Sequence, residues 1–512
     1  VAAIAKDNAN ILNNTRSKSV SLDSVVDVEL ETPALLDDKE FVFWGNNNDS
    51  LTLSATEMPA AGLPTITTQR VAREWKIQKN SILGGVLTAN PGVGLATVRI
   101  DLDSINLAPI DAIGFRLVTD ADNDFSTTAG QAVYPAAGEP SYDPVTNEVT
   151  FTGVTLTDNE YFTIMIPPKA PGGVSTDLSG WYKADVGVYS DLDEATVLGG
   201  QTPVVDANSV REWTDQSGRG NDFLSTSTTY DPVFGDGTND SLDSLNGYPS
   251  IHFDGANDEL RLAGTQSLFD IAKPSTVGAA VTLDTLGGSW NTIFEQGAAI
   301  NNNDFMLGVQ NDDPYYYENG FMTPVLASTV TAPAVDTPFI FGMNWDTPGT
   351  PAGAGLNTSI DGVSEQLAVD LTNLSYSGGP TKLSEIQNGE AWDGRMAEVY
   401  VYEALLSATD QQQVDSYTAF KYGITLNPSG ARPDYLASDG TDKIWDNAHA
   451  SAVAGFDTDI NGVGRDDLSA LAQTSSKSRD TDAAVQVTIE DYAQVANLEF
   501  LVIANDDQPL GN

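Results

Sequence analysis

Two distant stretches of this chain read alike. IAKDNANILNNTRSKSVSLDSVV starts at Ile4, and VGRDDLSALAQTSSKSRDTDAAV starts at Val463. Setting Asp7 on Asp466 aligns residues 4–51 with 463–510 without a gap, at an offset of 459 residues. Leu12 falls on Leu471, Thr15 on Thr474, Ser17-Lys18-Ser19 on Ser476-Lys477-Ser478, Glu40-Phe41 on Glu499-Phe500, and Asn46 on Asn505. The alternating apolar positions Val26, Val28 and Leu30 fall on Val485, Val487 and Ile489. Strand patterning alone would reproduce the alternation but not the Ser-Lys-Ser turn. The chain therefore reads as slightly more than one period of a tandem array. Covalent continuation at both ends is the simplest expectation. The alternative is that separate chains polymerise, each completed by its neighbour through strand donation.

Within the period the style of the sequence changes. Residues 1–166 alternate in strand fashion: in ATVRIDLDSI, Val98, Ile100 and Leu102 share one face while Arg99 and Asp101 take the other. VTFTGVTLTDNEYFTIMI reads as two strands around a turn at Asp158-Asn159, and Gly/Asn clusters such as WGNNNDS punctuate the strands. A β-sandwich module, incomplete at its start, is expected here. PPKAPGG reads as a linker over residues 167–174. Short strands and long Gly/Asn/Asp loops follow over 175–426, with one helix near 407–422. Its signals are Ser407 as N-cap, Asp410 at the capping-box position and Gly423 as the stop. Val414, Tyr417 and Lys421 share a face, so the helix is expected on a sheet edge. Residues 427–512 begin the next copy of the first module. The fold class expected is all-β, in tandem sandwich modules.

The charge narrows the partners. There are 72 acidic residues against 24 Lys plus Arg, a net charge of −48. That field repels nucleic acid and anionic lipid and attracts divalent cations, and salt screens its self-repulsion. Neither nucleic acid nor membrane insertion is expected, since no apolar run approaches the roughly 20 residues of a membrane helix. The first residues lack the basic start and apolar stretch of a signal peptide, so an export signal would lie outside this sequence. With no cysteine, disulfides and thiolate metal sites are excluded.

Several residue groups suit particular chemistries. DADNDF spaces Asp120, Asp122 and Asp124 two apart after the strand FRLVT, as in loops that converge carboxylates on Ca²⁺. The twelfth position from Asp120 is Gln131, so this is no EF-hand. WTDQSGRGND and FDGAND place Asp215, Asp222, Asp254 and Asp258 on loops that could line one Ca²⁺-holding rim; equally, such residues form ordinary turns. In DDPYYYENGF, Tyr315 and Tyr317 share a strand face and suit stacking on a glycan, with Tyr316 on the other face; packing of at least one face into the sandwich is the competing expectation. Trp181, Trp213 and Trp392 are expected in the core or at a module interface. No enzyme is expected: the two histidines, His252 and His449, build no Ser-His-Asp set, and Glu295 and Glu398 read as isolated acids where glycoside hydrolysis needs a pair.

The middle region carries LSGWYKADVGV, VREWTDQSGRGNDF, YPSIHFDGANDEL and WDGRMAEVYVYEALLS, followed by a helix ending in KYGITL. In that order these segments resemble the laminin-G-like, concanavalin A-like jelly rolls of large bacterial surface proteins. The flanking module, with DYLASDGTDKIWD, GVGRDD, FVFWGNNN, VAREWKIQ and LVTDADNDF, looks like the β-rich partner that follows such jelly rolls. The resemblance implies a structural repeat segment of a secreted surface filament or adhesin stalk, with Ca²⁺ at some jelly-roll loops. Neighbouring repeats or copies of the chain are the expected partners. A lectin-like module binding surface glycans through its loops is the other reading.

Overall fold

The computed structural model describes the chain except residues 22–23, 55, 60–61, 64–68, 84–85, 90–92, 103–104, 106–113, 128–129, 144–145, 193–201, 238–244, 265, 270–272, 287–289, 297–304, 319–324, 347–354, 368–378, 385–389, 429, 449–454, 480–484 and 507–512. His449 lies outside the described residues. The fold is all-β apart from one α-helix among the described residues, and the paired strands are antiparallel. Two compact units form, Val1–Pro168 and Lys169–Asn512.

In the first unit, one sheet takes its path from β1 (Ala2–Asp7), β2 (Leu12–Asn14), β5 (Glu40–Asn46), β8 (Trp75–Leu83), β11 (Arg116–Asp120), β12 (Ala132–Tyr134) and β15 (Tyr161–Ile166). The order is β12-β11-β15-β8-β5-β1-β2, with β6 (Leu53–Ser54), β7 (Gln69–Val71) and β9 (Val86–Ala89) attached. The facing sheet runs β13-β14-β10-β4-β3, from β3 (Arg16–Lys18), β4 (Val26–Leu30), β10 (Leu95–Asp101), β13 (Ser141–Asp143) and β14 (Glu148–Thr155). Alternation decides what each strand buries. Val98, Ile100 and Leu102 point inward to join Val42, Trp44, Trp75, Ile77 and Phe162 from the opposite sheet.

The second unit is a larger sandwich. Its eight-stranded sheet centres on Asp393–Tyr402 and Ser275–Leu283, and its nine-stranded sheet on Thr381–Leu383 and Trp290–Gln296. Val277, Ala279, Val281, Val399 and Val401 face Trp213, Phe294, Leu307 and Tyr316 across one core. The intervening residues Ala280, Ala397, Tyr400 and Tyr402 turn to the outer face and are buried as well. That face carries the helix α1 (Ala408–Tyr422).

The helix begins and ends where its sequence says. The Ser407 hydroxyl accepts from the Asp410 amide at 3.2 Å and donates to the Asp410 carboxylate at 2.7 Å, while Gly423 closes the C-terminus in the left-handed region at φ 64°. The expected seat on a sheet edge is corrected. α1 lies on the outer sheet face, because Ala280, Ile340 and Ala397 make that face apolar. PPKAPGG also differs from a free linker. Ala170, Pro171 and Gly172 are buried, and a Cβ on Gly172 would stand 2.4 Å from the Gln413 carbonyl carbon. The turn is packed against the helix.

The repeated stretches fold alike. Shifted by 459, β2, β3 and β5 become the strands Leu471–Gln473, Ser475–Lys477 and Glu499–Asn505, while β1 and β4 overlap Thr458–Asp466 and Gln486–Thr488. The registers shift with them: Asp7 pairs Leu12 as Asp466 pairs Leu471, and Ser17 pairs Val28 as Ser476 pairs Val487. Even the 3-10 turn Pro33–Leu35 recurs at Tyr492–Gln494, and positive φ recurs at Ile11 and Ala470 and at Lys39 and Leu498. Below, the copies are the head, in the first unit, and the tail, in the second.

Candidate functional site

The expected cation residues mostly hold their own loops. Asp120 Oδ1 accepts from the amides of Asp122 and Asn123, each at 2.8 Å; Asp122 accepts from Asp124 N–H at 3.1 Å, and Asp124 from Ser126 N–H at 3.0 Å. The Ser126 bonds hold the Asp124 carboxyl below its ordinary range. Asp120 is fully buried, and its Oδ2 has no hydrogen-bond partner among the described residues. Asp215, also fully buried, accepts from the amides of Trp181, Ser217 and Asn221 and from the Ser217 hydroxyl. Asp222 accepts from Asp215 N–H, and Asp258 from Asp254 N–H at 2.9 Å. In both loops the carboxylates accept from backbone amides of their own loop, as in the ordinary turns that were the other expectation for them. Burial pushes the Asp258 carboxyl up to about 7. Among the described residues no group of three or more His, Asp or Glu is placed to hold a metal ion.

The aromatic patch is split by its strand. Tyr316 enters the sandwich core, as alternation requires. Tyr315 and Tyr317 flank Trp290 edge-on, with ring centroids 5.2 and 5.4 Å away. Tyr315 is nevertheless fully covered, its hydroxyl 2.7 Å from Thr292 Oγ1. This corrects its expected exposure; Tyr317 and Trp290 are the half-buried rings of that face. Trp181, Trp213 and Trp392 are buried. His252 sits half-buried on its strand, 2.9 Å from Asp284 Oδ2. Glu295 is not isolated: Lys382 bridges it to Glu259, and all three side chains are buried.

The densest polar constellation lies where α1 meets the sheet. Glu398, on the strand Asp393–Tyr402, is fully buried. It accepts from Trp181 Nε1 at 2.6 Å, Tyr422 OH at 2.8 Å, Lys421 Nζ at 2.9 Å and Tyr417 OH at 3.2 Å. Lys421 Nζ also reaches Asp185 at 3.5 Å and lies over the Tyr248 ring, 4.8 Å from its centroid. Burial alone would push the Lys421 ammonium toward neutrality. Asp185 and Glu398 outweigh it and hold the pKa above its ordinary value. The surrounding tyrosines Tyr248, Tyr417 and Tyr422 are raised well above theirs, first by burial and then by these carboxylates. Glu398 and Lys421 thus form a buried ion pair hydrogen-bonded on both sides by residues of the strand, the helix and the loops beside them.

This node is continuous with the tail. Tyr248 OH donates to Gln473 Oε1 at 2.6 Å, and its ring meets Tyr422 edge-on at 5.8 Å. Asn246 bonds Ser476 Oγ at 3.0 Å and accepts from Lys477 N–H at 2.7 Å. Arg479 pairs with Asp361 at 2.7 Å, Ser438 N–H bonds Asp466 at 2.9 Å, and Phe420 of α1 meets Phe500 edge-on at 5.5 Å. The second unit thus grips the first strands of a repeated module along α1.

A family match covers residues 1–160 and 410–511, just over half of the chain, and so includes both copies of the repeat. The chain belongs to the family described as a domain of unknown function, DUF8202. The central sandwich lies outside the DUF8202 match. No curated protein matches the chain. Among solved structures, domain 4 of AbnA, an extracellular arabinanase from Geobacillus stearothermophilus, in complex with arabinotriose, is 15% identical with a TM-score of 0.30, over 47% of this chain and 98% of that one. The binding domain of botulinum neurotoxin serotype D/C VPI 5993 is 9% identical with a TM-score of 0.29, over 48% of this chain and 53% of that one. The chain thus spans about half of that toxin domain. The CBM40 of a Ruminococcus gnavus IT-sialidase, bound to α2,3-sialyllactose, is 11% identical with a TM-score of 0.22, over 28% of this chain and 81% of that one.

Proposed function

We propose that this chain is a repeat segment of a large secreted bacterial surface filament or adhesin stalk, and that its task is reach rather than chemistry. The observation that carries the reading is the recurrence, 459 residues on, of the same strands in the same registers, with the second copy gripped by α1. Lateral hydrogen bonding between strands resists pulling, and a net charge of −48 keeps successive repeats from collapsing on one another. The partners on this reading are neighbouring repeats, at the cell surface, with no nucleic acid and no reaction. No helix among the described residues is long and apolar enough to cross a membrane. Small-angle scattering of chains carrying one, two and three periods tests the proposal. The maximum dimension should grow by a constant step per period, and growth as a compact globule would refute it.

Calcium at the loop of Asp120, Asp122 and Asp124 belongs to the same proposal; it is supported by the buried and unpartnered Oδ2 of Asp120 alone, since the three carboxylates are not grouped as a metal site. Chelation should then lower the melting temperature of the first unit, and an unchanged melt would remove the ion. A glycan-binding role is the second reading, favoured by Trp290 and Tyr317 on one sheet face. It requires saturable binding on a glycan array that Tyr317→Ala abolishes.

A further inference from the structure

Three ionisable side chains of the second unit converge from three separate elements. Asp185 follows the strand Leu178–Lys183, Glu398 lies on the strand Asp393–Tyr402, and Lys421 is in the last turn of α1. Lys183 opposes Glu398 in the pairing of the two strands, so the chain passes beside Glu398 two residues before Asp185. Lys421 Nζ stands 2.9 Å from Glu398 Oε2 and 3.5 Å from Asp185 Oδ2. The Lys421 and Glu398 side chains are 2% and 0% exposed, and that of Asp185, at the rim, is 26% exposed. The ring centroids of Tyr248, Tyr422 and Tyr417 lie 4.8, 5.2 and 5.8 Å from Nζ. An amine, a carboxyl to react with it and a second carboxyl thus share one site walled by aromatic rings.

The charges in this site depend on one another. Burial opposes the Asp185 carboxylate; Lys421 and then Lys183 outweigh it and keep that carboxyl below its ordinary range. The Lys421 ammonium is held in turn by Asp185 and Glu398, so its proton is not shed to water. The path open to that proton is the 2.9 Å hydrogen bond to Glu398. Its transfer removes the charge that kept Asp185 ionised, and burial then favours the neutral acid. A neutral amine beside a neutral carboxyl, already brought together by the fold, is set for condensation.

We propose that Lys421 and Asp185 condense into an intramolecular amide bond, Nζ to Cγ, with Glu398 as the catalytic residue that carries the protons. The Lys421 ammonium gives one proton to Glu398, which passes it to the Asp185 oxygen that will leave. The free amine attacks Cγ and the C–N bond forms. A second proton travels from the nitrogen through Glu398 to the same oxygen, and the C–O bond breaks. One water departs at the rim, the third proton stays on the amide, and Glu398 ends ionised as it began. Nothing is oxidised or reduced. The product replaces a buried ion pair with a neutral amide, while Lys183 remains as a counter-charge to Glu398. The bond forms once per chain, without turnover or an external substrate. It ties the first strand of the second unit to α1, so a pulling force bypasses the sandwich between residues 185 and 421. That suits a stalk, but the chemistry does not depend on the repeat reading.

The intact mass of the 512-residue chain, denatured after prolonged incubation in its folded state, tests the bond. The chain should weigh one water molecule less than its sequence. Protease digestion should yield a branched peptide joining Asp185 to Lys421. Asp185→Ala, Glu398→Gln and Lys421→Arg should each give the full sequence mass. A wild-type chain at full mass overturns the proposal, and this reading needs no variant to fold. Water loss that persists in Asp185→Ala overturns it too, because the dehydration then lies elsewhere, as does a branch at Lys183 in place of Lys421. Cross-linking that survives Glu398→Gln overturns the role given to Glu398. None of these results bears on constant growth per period, so the two ideas fail separately.

Discussion

The head and the tail are one sequence pattern in two surroundings. Both place a strand, a 3-10 turn and a returning strand at the same offsets, and both keep Asp7 or Asp466 opposite a leucine. Yet Leu12 is 41% exposed and Leu471 only 1%. Val20 is wholly exposed, whereas its equivalent Arg479 is half-buried, its side chain covered against Asp361. The inner face runs the other way, with Val42 covered and Leu501 open. Local patterning therefore fixes strand and register, while burial depends on which neighbour arrives. Among the described residues the head packs within a two-sheet core, and the tail packs against α1.

That comparison can be broken at several points. The largest effect is expected at the Glu398–Lys421 pair. Lys421→Met leaves Glu398 buried without its cation and should destabilise the second unit by about 3–5 kcal/mol. A denaturant titration following the tail by hydrogen exchange should show it released early, with the first unit's transition unmoved. Equal loss in both units would contradict the separation of head from tail.

Matched truncations sharpen the contrast. Leu471→Ala should cost about 3 kcal/mol and Leu12→Ala less than about 0.5 kcal/mol, although the two positions are equivalent. The order reverses on the inner face, where Val42→Ala should cost about 2 kcal/mol and Leu501→Ala close to nothing. Equal penalties for either pair, read from urea midpoints, would mean that burial does not distinguish the copies.

A pH titration tests the central sandwich, which the repeat does not include. The folded value of Asp258, about 7, lies above its ordinary 3.8, so the folded chain holds that proton more tightly than the unfolded chain. The stability that Asp258 contributes is then fully present below about pH 4 and is lost as the pH rises to about 7. A shift of about three units sets a ceiling near 4 kcal/mol; partial solvent screening reduces the expected loss to about 2 kcal/mol. Asp258→Asn should flatten this dependence in unfolding measured at pH 5 and pH 8. The smallest effect belongs to the helix cap, where Ser407→Ala should cost about 1 kcal/mol and leave the first unit untouched.

Much of the architecture is legible because it is local. Val98, Ile100 and Leu102 announce an inward face, and Ser407 and Gly423 announce where a helix starts and stops. Loop carboxylates are less legible, because an Asp that caps its own turn and one that waits for a cation have the same sequence. Asp215 is the first kind, held by four donors; only the unpartnered Oδ2 of Asp120 sets that residue apart. Tyr315 shows the same limit. Alternation gives its face, but Trp290 and Thr292 decide that the ring is covered.

The sequence by itself determined the period, the strand alternation, the turn signals and the capped helix, since each depends on residues a few positions apart or on direct repetition. Only the tertiary structure decided that Glu398 meets Lys421, that α1 lies on a sheet face, and that Leu12 is exposed where its equivalent Leu471 is buried. These contacts join segments far apart in the chain, and a buried charge or an apolar edge acquires its meaning from the group that desolvates it.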